Sequence, residues 1–244
     1  MKGSSPLHKR RHKDYRMTVD TIIFDCDGVL IDSETVVCRI AAEELTRLGY
    51  VISTEQVIAR FAGRPEHEMR AEIEAEWGRP IPESYRNDVN ARTYEAYGTE
   101  LKIIPGIKEA LDKITLPVCV ASSSFPEKLQ LGLQTVGLYE RFMPNVISAT
   151  LVAHGKPKPD VFLFAAGWMK TSPMRCLVIE DSVPGVMAAT NAGMHVFGFA
   201  GGGHCGPGHA QKLIEAGASL AFHDMSELPA LASGYDVLKL NQSR

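Results

Sequence analysis

The chain has 244 residues, 45% of them hydrophobic and 23% charged, with a formal net charge of -3. That length holds one large domain, or a domain with a smaller one inserted, and the charge gives no reason to expect nucleic acid or a membrane surface as partner. No apolar stretch is long enough to span a bilayer. The five cysteines (Cys26, Cys38, Cys119, Cys176, Cys205) form no C-x-x-C pair, which argues against a disulfide framework and fits a reducing cytoplasm.

Residues 1–16 stand apart: Lys2, Lys9, Arg10, Arg11, Lys13 and Arg16 face only Asp14, and no apolar stretch follows as a signal peptide would need. The readings left open are a disordered basic arm, a non-native leader, or a start upstream of a true first residue Met17. A nucleic-acid tail is disfavoured, because a short basic run is usually only solvated.

Along the rest of the chain, short apolar runs at Thr21 to Phe24, Pro117 to Ala121, Val146 to Ser148, Cys176 to Ile179, His195 to Phe199 and Leu220 to Phe222 read as buried strands. Helical patterns at Ile107 to Ile114, Glu127 to Val136, Asp160 to Met169 and Pro184 to Ala192 lie between them. This alternation predicts a doubly wound parallel α/β sheet, a Rossmann-like core over 17–32 and 105–244. Residues 33–104 break the rhythm. They are rich in Glu, Arg and Ala, with stops near Gly49, Gly63-Arg64-Pro65 and Gly78 to Pro82, and predict an inserted helical-bundle cap over the sheet's carboxyl edge.

Four strands end in polar residues that a core would not tolerate without a use for them. Asp25-Cys26-Asp27-Gly28 places two carboxylates one residue apart; they repel unless a cation lies between them, and magnesium is the common hard ion beside phosphate. A solvated D-x-D-G turn explains that run equally well. Ser122-Ser123-Ser124 offers hydroxyls and amides for an anion, although Ser124 could simply cap a helix opening near Pro126. Gly155 to Asp160 holds Lys156 ahead of two prolines, able to neutralise a phosphoryl oxygen or a carboxylate, or to be a surface lysine in a turn. Glu180-Asp181-Ser182 again suggests a cation, against a plain helix cap. Each plain reading covers one cluster and none covers all four at one edge. Together they supply a cation site, an anion pocket and a carboxylate nucleophile, the parts of phosphoryl transfer.

The order D-x-D-G-V-L-x-D-S-E, strand-end serine, K-P-x-P-D and E-D-S-x-x-G resembles the haloacid dehalogenase-like hydrolases. Within them it is similar to the subgroup with a helical cap after the first motif, which includes β-phosphoglucomutase and sugar-phosphate phosphatases such as 6-phosphogluconate phosphatase. The resemblance implies that Asp25 attacks phosphorus and becomes an aspartyl phosphate. It gives Asp27 the roles of acid to the departing alcohol and base to the hydrolytic water. Ser122 and the following amide at Ser123 would hold the phosphoryl oxygens, with Lys156 bridging Asp25 and the phosphate. Magnesium would be held by Asp25, the Asp27 carbonyl and Asp181, with Glu180 close by.

Departures refine the expectation. True dehalogenases lack the second acid, and Asp27 is present. A β-phosphoglucomutase carries a cap histidine where Val37 stands, and a cap arginine where Glu66 aligns beside Arg64. Loss of basic contacts favours hydrolysis over the mutase alternative. Cap contacts to substrate are expected from Glu34, Arg64, His67 and Glu68, with Phe125 from the core. The expected partner is a small phosphorylated sugar, sugar acid or polyol, bound by a cytoplasmic monomer or weak homodimer; a non-catalytic phospho-ligand sensor is the rival from another class. The run Gly201 to His209 carries two histidines and a cysteine, but its glycines suit a flexible loop beside the site better than a rigid zinc centre. Trp77 and Trp168 are expected in core or cap packing.

Overall fold

The computed structural model describes residues 19–64 and 66–234. The basic segment 1–16 lies outside them. Six parallel strands form one sheet in the order β3-β2-β1-β4-β5-β6: β1 (Thr21–Phe24), β2 (Val118–Ser122), β3 (Val146–Ser148), β4 (Cys176–Glu180), β5 (His195–Phe199) and β6 (Leu220–Phe222). The chain winds outward from β1 to β3, then returns to β4 on the other side of β1. The switch point, where ligands bind in such sheets, therefore lies between β1 and β4.

β1 shows why these residues form central strands. All four of its residues are buried, and Ile22 and Phe24 enter one core while Ile23 enters the other. This alternation follows from the two-residue period of a strand covered on both faces. The predicted helices of the core form as α5 (Ile107–Lys113), α6 (Pro126–Thr135), α8 (Asp160–Trp168) and α9 (Val183–Asn191), with a short α7 (Tyr139–Phe142) after α6. Two further helices, α10 (His209–Glu215) and α11 (Leu228–Ser233), follow β5 and β6.

Between β1 and α5 the chain forms four helices: α1 (Ser33–Leu48), α2 (Thr54–Phe61), α3 (Glu66–Trp77) and α4 (Tyr85–Glu100). Ser53 and Gln56 close a reciprocal capping box on α2, and Gly49 ends α1 in the left-handed region at φ 101°. One buried cluster runs from Phe24 through Ile31 and Leu133 to Tyr97, so α4 is anchored against α6. Gly132 permits that approach: a β-carbon there would lie 2.9 Å from Ile31 Cδ1 and 3.6 Å from the Tyr97 ring. Glu44 of α1, only 3% exposed, binds Arg92 of α4 at 2.7 Å and Arg47 at 2.6 Å.

Of the two tryptophans expected in packing, Trp77 packs against the buried cluster and Trp168 does not. Trp168 is 52% exposed at the end of α8, its indole N–H donating to Asn145, because its ring lies outside the buried face of that helix. Trp77 is half-buried and stacks beneath Arg79 with Tyr50 against its edge.

Candidate active site

The carboxyl ends of β1, β2 and β4 converge on a cavity of about 760 Å³ whose other wall comes from α1 to α4. Asp25 is the first residue past β1, and its amide donates to the Ile179 carbonyl of β4 at 3.0 Å. That bond fixes the direction of the Asp25 side chain before any ligand arrives. Lys156, in the loop between β3 and α8, places Nζ 2.6 Å from Asp25 Oδ1 and 2.6 Å from Glu180 Oε1. Glu180 is fully buried, and its other oxygen accepts from the amide and hydroxyl of Ser182. The α9 turn must come very close to allow this. A β-carbon on Gly185 would lie 1.7 Å from Glu180 Oε1. Gly28, at φ +79°, makes equivalent room for Asp181, whose Oδ2 would lie 1.9 Å from a β-carbon there.

Asp25, Glu180 and Asp181 bring carboxylate oxygens within 4.8 Å of one another, all buried. Burial pushes the Asp25 carboxyl well above its ordinary value; Lys156 opposes the shift, and Glu180, Asp181 and Asp27 reinforce it. Lys156 is held above its ordinary value, since Asp25 and Glu180 outweigh the burial that disfavours its charge. Lys156 and the His204 imidazole face these three buried carboxylates, and carboxylate oxygens gathered this closely are the donor set of a hard divalent cation.

Asp27 faces a different environment. Ser33 donates to its Oδ1 at 2.6 Å, Ser124 to its Oδ2 at 2.7 Å, and Lys128 Nζ lies 3.4 Å from Oδ1. Burial opposes ionisation here too, but Lys128, Ser33 and Ser124 outweigh it and hold the carboxyl below its ordinary value. The Asp27 carboxylate is thus engaged by Ser33, Ser124 and Lys128, outside the group of Asp25, Glu180 and Asp181.

Of the sequence-predicted residues, Asp25, Asp27, Ser122, Ser123, Lys156 and Asp181 all line the cavity, and Glu180 lies directly behind them. Glu34, Arg64 and Glu68 line it from the helical side. Burial, helped by Asp27, pushes Glu34 above the ordinary carboxyl range. His67 does not reach it: from α3, Glu66, Glu68 and Met69 line the cavity, and His67 is exposed to solvent. Phe125 is 64% exposed and also misses the cavity, because it precedes α6 with its ring turned to solvent. Ser124 caps nothing and serves Asp27 instead, while Ser182 does cap α9 by accepting from the Gly185 amide. The helical wall is not poor in bases, since Arg60, Arg64 and Arg86 line it. Glutamates pair each of them.

Sequence reasoning missed Lys128 and assigned His204 only to a flexible loop beside the site. Lys128 lies in the first turn of α6, where a lysine normally reads as solvated, and only its approach to Asp27 reveals a role. His204 is 6% exposed, and its Nε2 lies 3.0 Å from Asp181 Oδ2. The Gly201 to His209 loop does sit beside the site, as expected, but folded inward rather than free.

Residues 19–193 match the haloacid dehalogenase-like hydrolase family. A haloacid dehalogenase-like protein of Agrobacterium tumefaciens superposes with a TM-score of 0.84 at 40% identity, covering 88% of this chain and 98% of its own. A family hydrolase of Deinococcus radiodurans, solved with bound phosphate and sodium, gives 0.77 at 29% identity over 89% of this chain and 96% of its own. The 6-phosphogluconate phosphatase of Escherichia coli is 28% identical over 90% of this chain and 98% of its own.

Proposed function

Because the chain belongs to the haloacid dehalogenase-like hydrolases, we propose that it is a magnesium-dependent phosphatase of a small phosphorylated metabolite, acting through an aspartyl phosphate on Asp25. The observation that carries this reading is Asp25 at a strand end, bound to Lys156 at 2.6 Å and grouped with Glu180 and Asp181 in a cavity of metabolite size. Asp25, the Asp27 carbonyl and Asp181 would hold the ion, with Glu180 behind them. When bound, magnesium would neutralise charge on the transferring phosphoryl oxygens.

In the first step an Asp25 oxygen bonds to phosphorus as the bond to the substrate alcohol breaks, and Asp27 gives that alcohol its proton. Asp27 is ionised in the free protein and takes up this proton as the dianionic substrate enters beside it. In the second step Asp27 removes a proton from water, whose oxygen attacks phosphorus and releases phosphate from Asp25. Ser122 and the Ser123 amide hold the phosphoryl oxygens, and Lys156 keeps Asp25 from repelling them. Lys128 is a positioning residue that sets the charge on Asp27.

Residues 33–104 form the cap domain that excludes water and selects the substrate, with Glu34 and Arg64 as its contacts. The name of the Escherichia coli relative supports a phosphorylated sugar acid, and that of a Thermotoga maritima relative, a phosphorylated carbohydrates phosphatase, supports the wider class. The test is phosphate release from a panel of sugar, sugar-acid and polyol phosphates. Turnover is expected to vanish in chelator, return with magnesium, and be absent from Asp25→Asn. Activity unaffected by chelator, or retained in Asp25→Asn, overturns the reading.

A further inference from the structure

The loop after β5 carries a second donor set whose chemistry differs from that of the carboxylate cluster. His204, Cys205 and His209 each bring one ligand atom within 4.8 Å of the others. Cys205 Sγ lies 3.5 Å from His204 Nε2. Zinc–nitrogen bonds of about 2.05 Å and a zinc–sulfur bond of about 2.3 Å at the tetrahedral angle put nitrogen and sulfur about 3.5 Å apart. The pair already spans one edge of such a site. Asp181 Oδ2, 3.0 Å from the same Nε2, stands where a fourth ligand would.

The surroundings favour these roles. His209 Nε2 lies 2.6 Å from the Asp181 carbonyl oxygen, the kind of outer contact that orients a ligating imidazole. Gly202 makes the inward fold possible, since a β-carbon there would lie 2.9 Å from His204 Cε1. Both histidines face the catalytic cavity, so the loop is open to an ion from solvent.

We propose that His204, Cys205 and His209 form a binding site for a soft divalent ion of the zinc class, adjoining the carboxylate cluster of Asp25, Glu180 and Asp181 and sharing Asp181 with it. Thiolate and imidazole select zinc over magnesium, while the carboxylate cluster suits the harder ion. Coordination displaces the protons carried by the thiol and the imidazole. Asp181 joins the two sites: as its Oδ2 turns to the soft ion it leaves the hard one, so zinc at this loop slows turnover. That coupling rests on the function proposed above; the binding site does not.

Cobalt(II) added to the intact protein in excess magnesium tests the site directly. One equivalent is expected to give a thiolate-to-cobalt charge-transfer band with the visible bands of a tetrahedral ion, both removed by zinc. Cys205→Ser is expected to lose the charge-transfer band while keeping its magnesium-dependent turnover, and His209→Gln to weaken cobalt binding by about tenfold or more. A wild-type protein without the band, or Cys205→Ser with it, overturns the site. Zinc titrated against turnover in excess magnesium tests the coupling. Wild type is expected to be inhibited at zinc levels that Cys205→Ser tolerates, and equal inhibition of the two overturns the coupling.

Discussion

Lys128→Met removes the ammonium beside Asp27, and with it the cation–π contact over the Tyr97 ring, while keeping a side chain of similar length. Two unit charges 3.4 Å apart interact by about 5 kcal/mol at an effective dielectric of about 20. The side chains are 23% and 15% exposed to the solvent-filled cavity, which reduces this to on the order of 3 kcal/mol. That corresponds to a rise of about two units in the Asp27 pKa. Asp27 must be ionised to take a proton from water, so activity is lost as pH falls through its pKa. Raising that pKa moves the acid limb of the kcat profile to higher pH by about two units. Steady-state turnover of p-nitrophenyl phosphate across pH reads the limb, and Lys128→Arg is expected to keep it near its original place. A lower kcat with an unmoved acid limb would refute the assignment of Lys128 to Asp27.

Gly185→Ala should cost on the order of 100-fold in kcat/KM, because the new methyl drives Glu180 off Lys156 and misplaces Asp25; kinetics on a variant of unchanged circular dichroism decide, and wild-type turnover would contradict it. Glu44→Gln should destabilise the helical segment by about 1–2 kcal/mol at neutral pH, read by denaturant unfolding. Burial resists ionisation of Glu44, but Arg47 and Arg92 outweigh it and hold the carboxyl below its ordinary 4.5. Its contribution is therefore full above that value and lost as pH falls through the lower folded one, so the two proteins should converge in acid. A constant difference down to the acid transition would remove the ion pairs as its cause.

The core was legible because parallel strands covered on both faces must be continuously apolar. β1, β3, β5 and β6 fall where those runs begin and end. The site was legible for the complementary reason: Asp25, Ser122 and Asp181 are polar where a buried strand stops, and such residues need a use, while Lys156 stood out by the prolines that follow it in the loop after β3. The helical wall obeys no comparable rule. His67 and Glu66 are adjacent polar residues on one helix, and the orientation of α3 alone decides that one faces the cavity and the other solvent. Lys128 was invisible since its partner is 101 positions earlier in the chain (128 minus 27) and no local pattern announces that meeting. His204 and Cys205 lay among glycines that read as a loose loop, and their convergence depends on backbone approaches that only those glycines allow.

Covalent phosphorylation of Asp25 is the most direct measurement. Asp27→Asn lacks the base for the second step, yet p-nitrophenolate leaves without a proton, so the first step still proceeds. Magnesium-loaded Asp27→Asn, mixed with p-nitrophenyl phosphate, quenched in acid and digested, should show by mass spectrometry a phosphoryl group on Asp25. The Asp25→Asn protein treated in the same way should show none. Hydrolysis by the unaltered chain with no label trapped at Asp25, or label that persists in Asp25→Asn, would contradict the account.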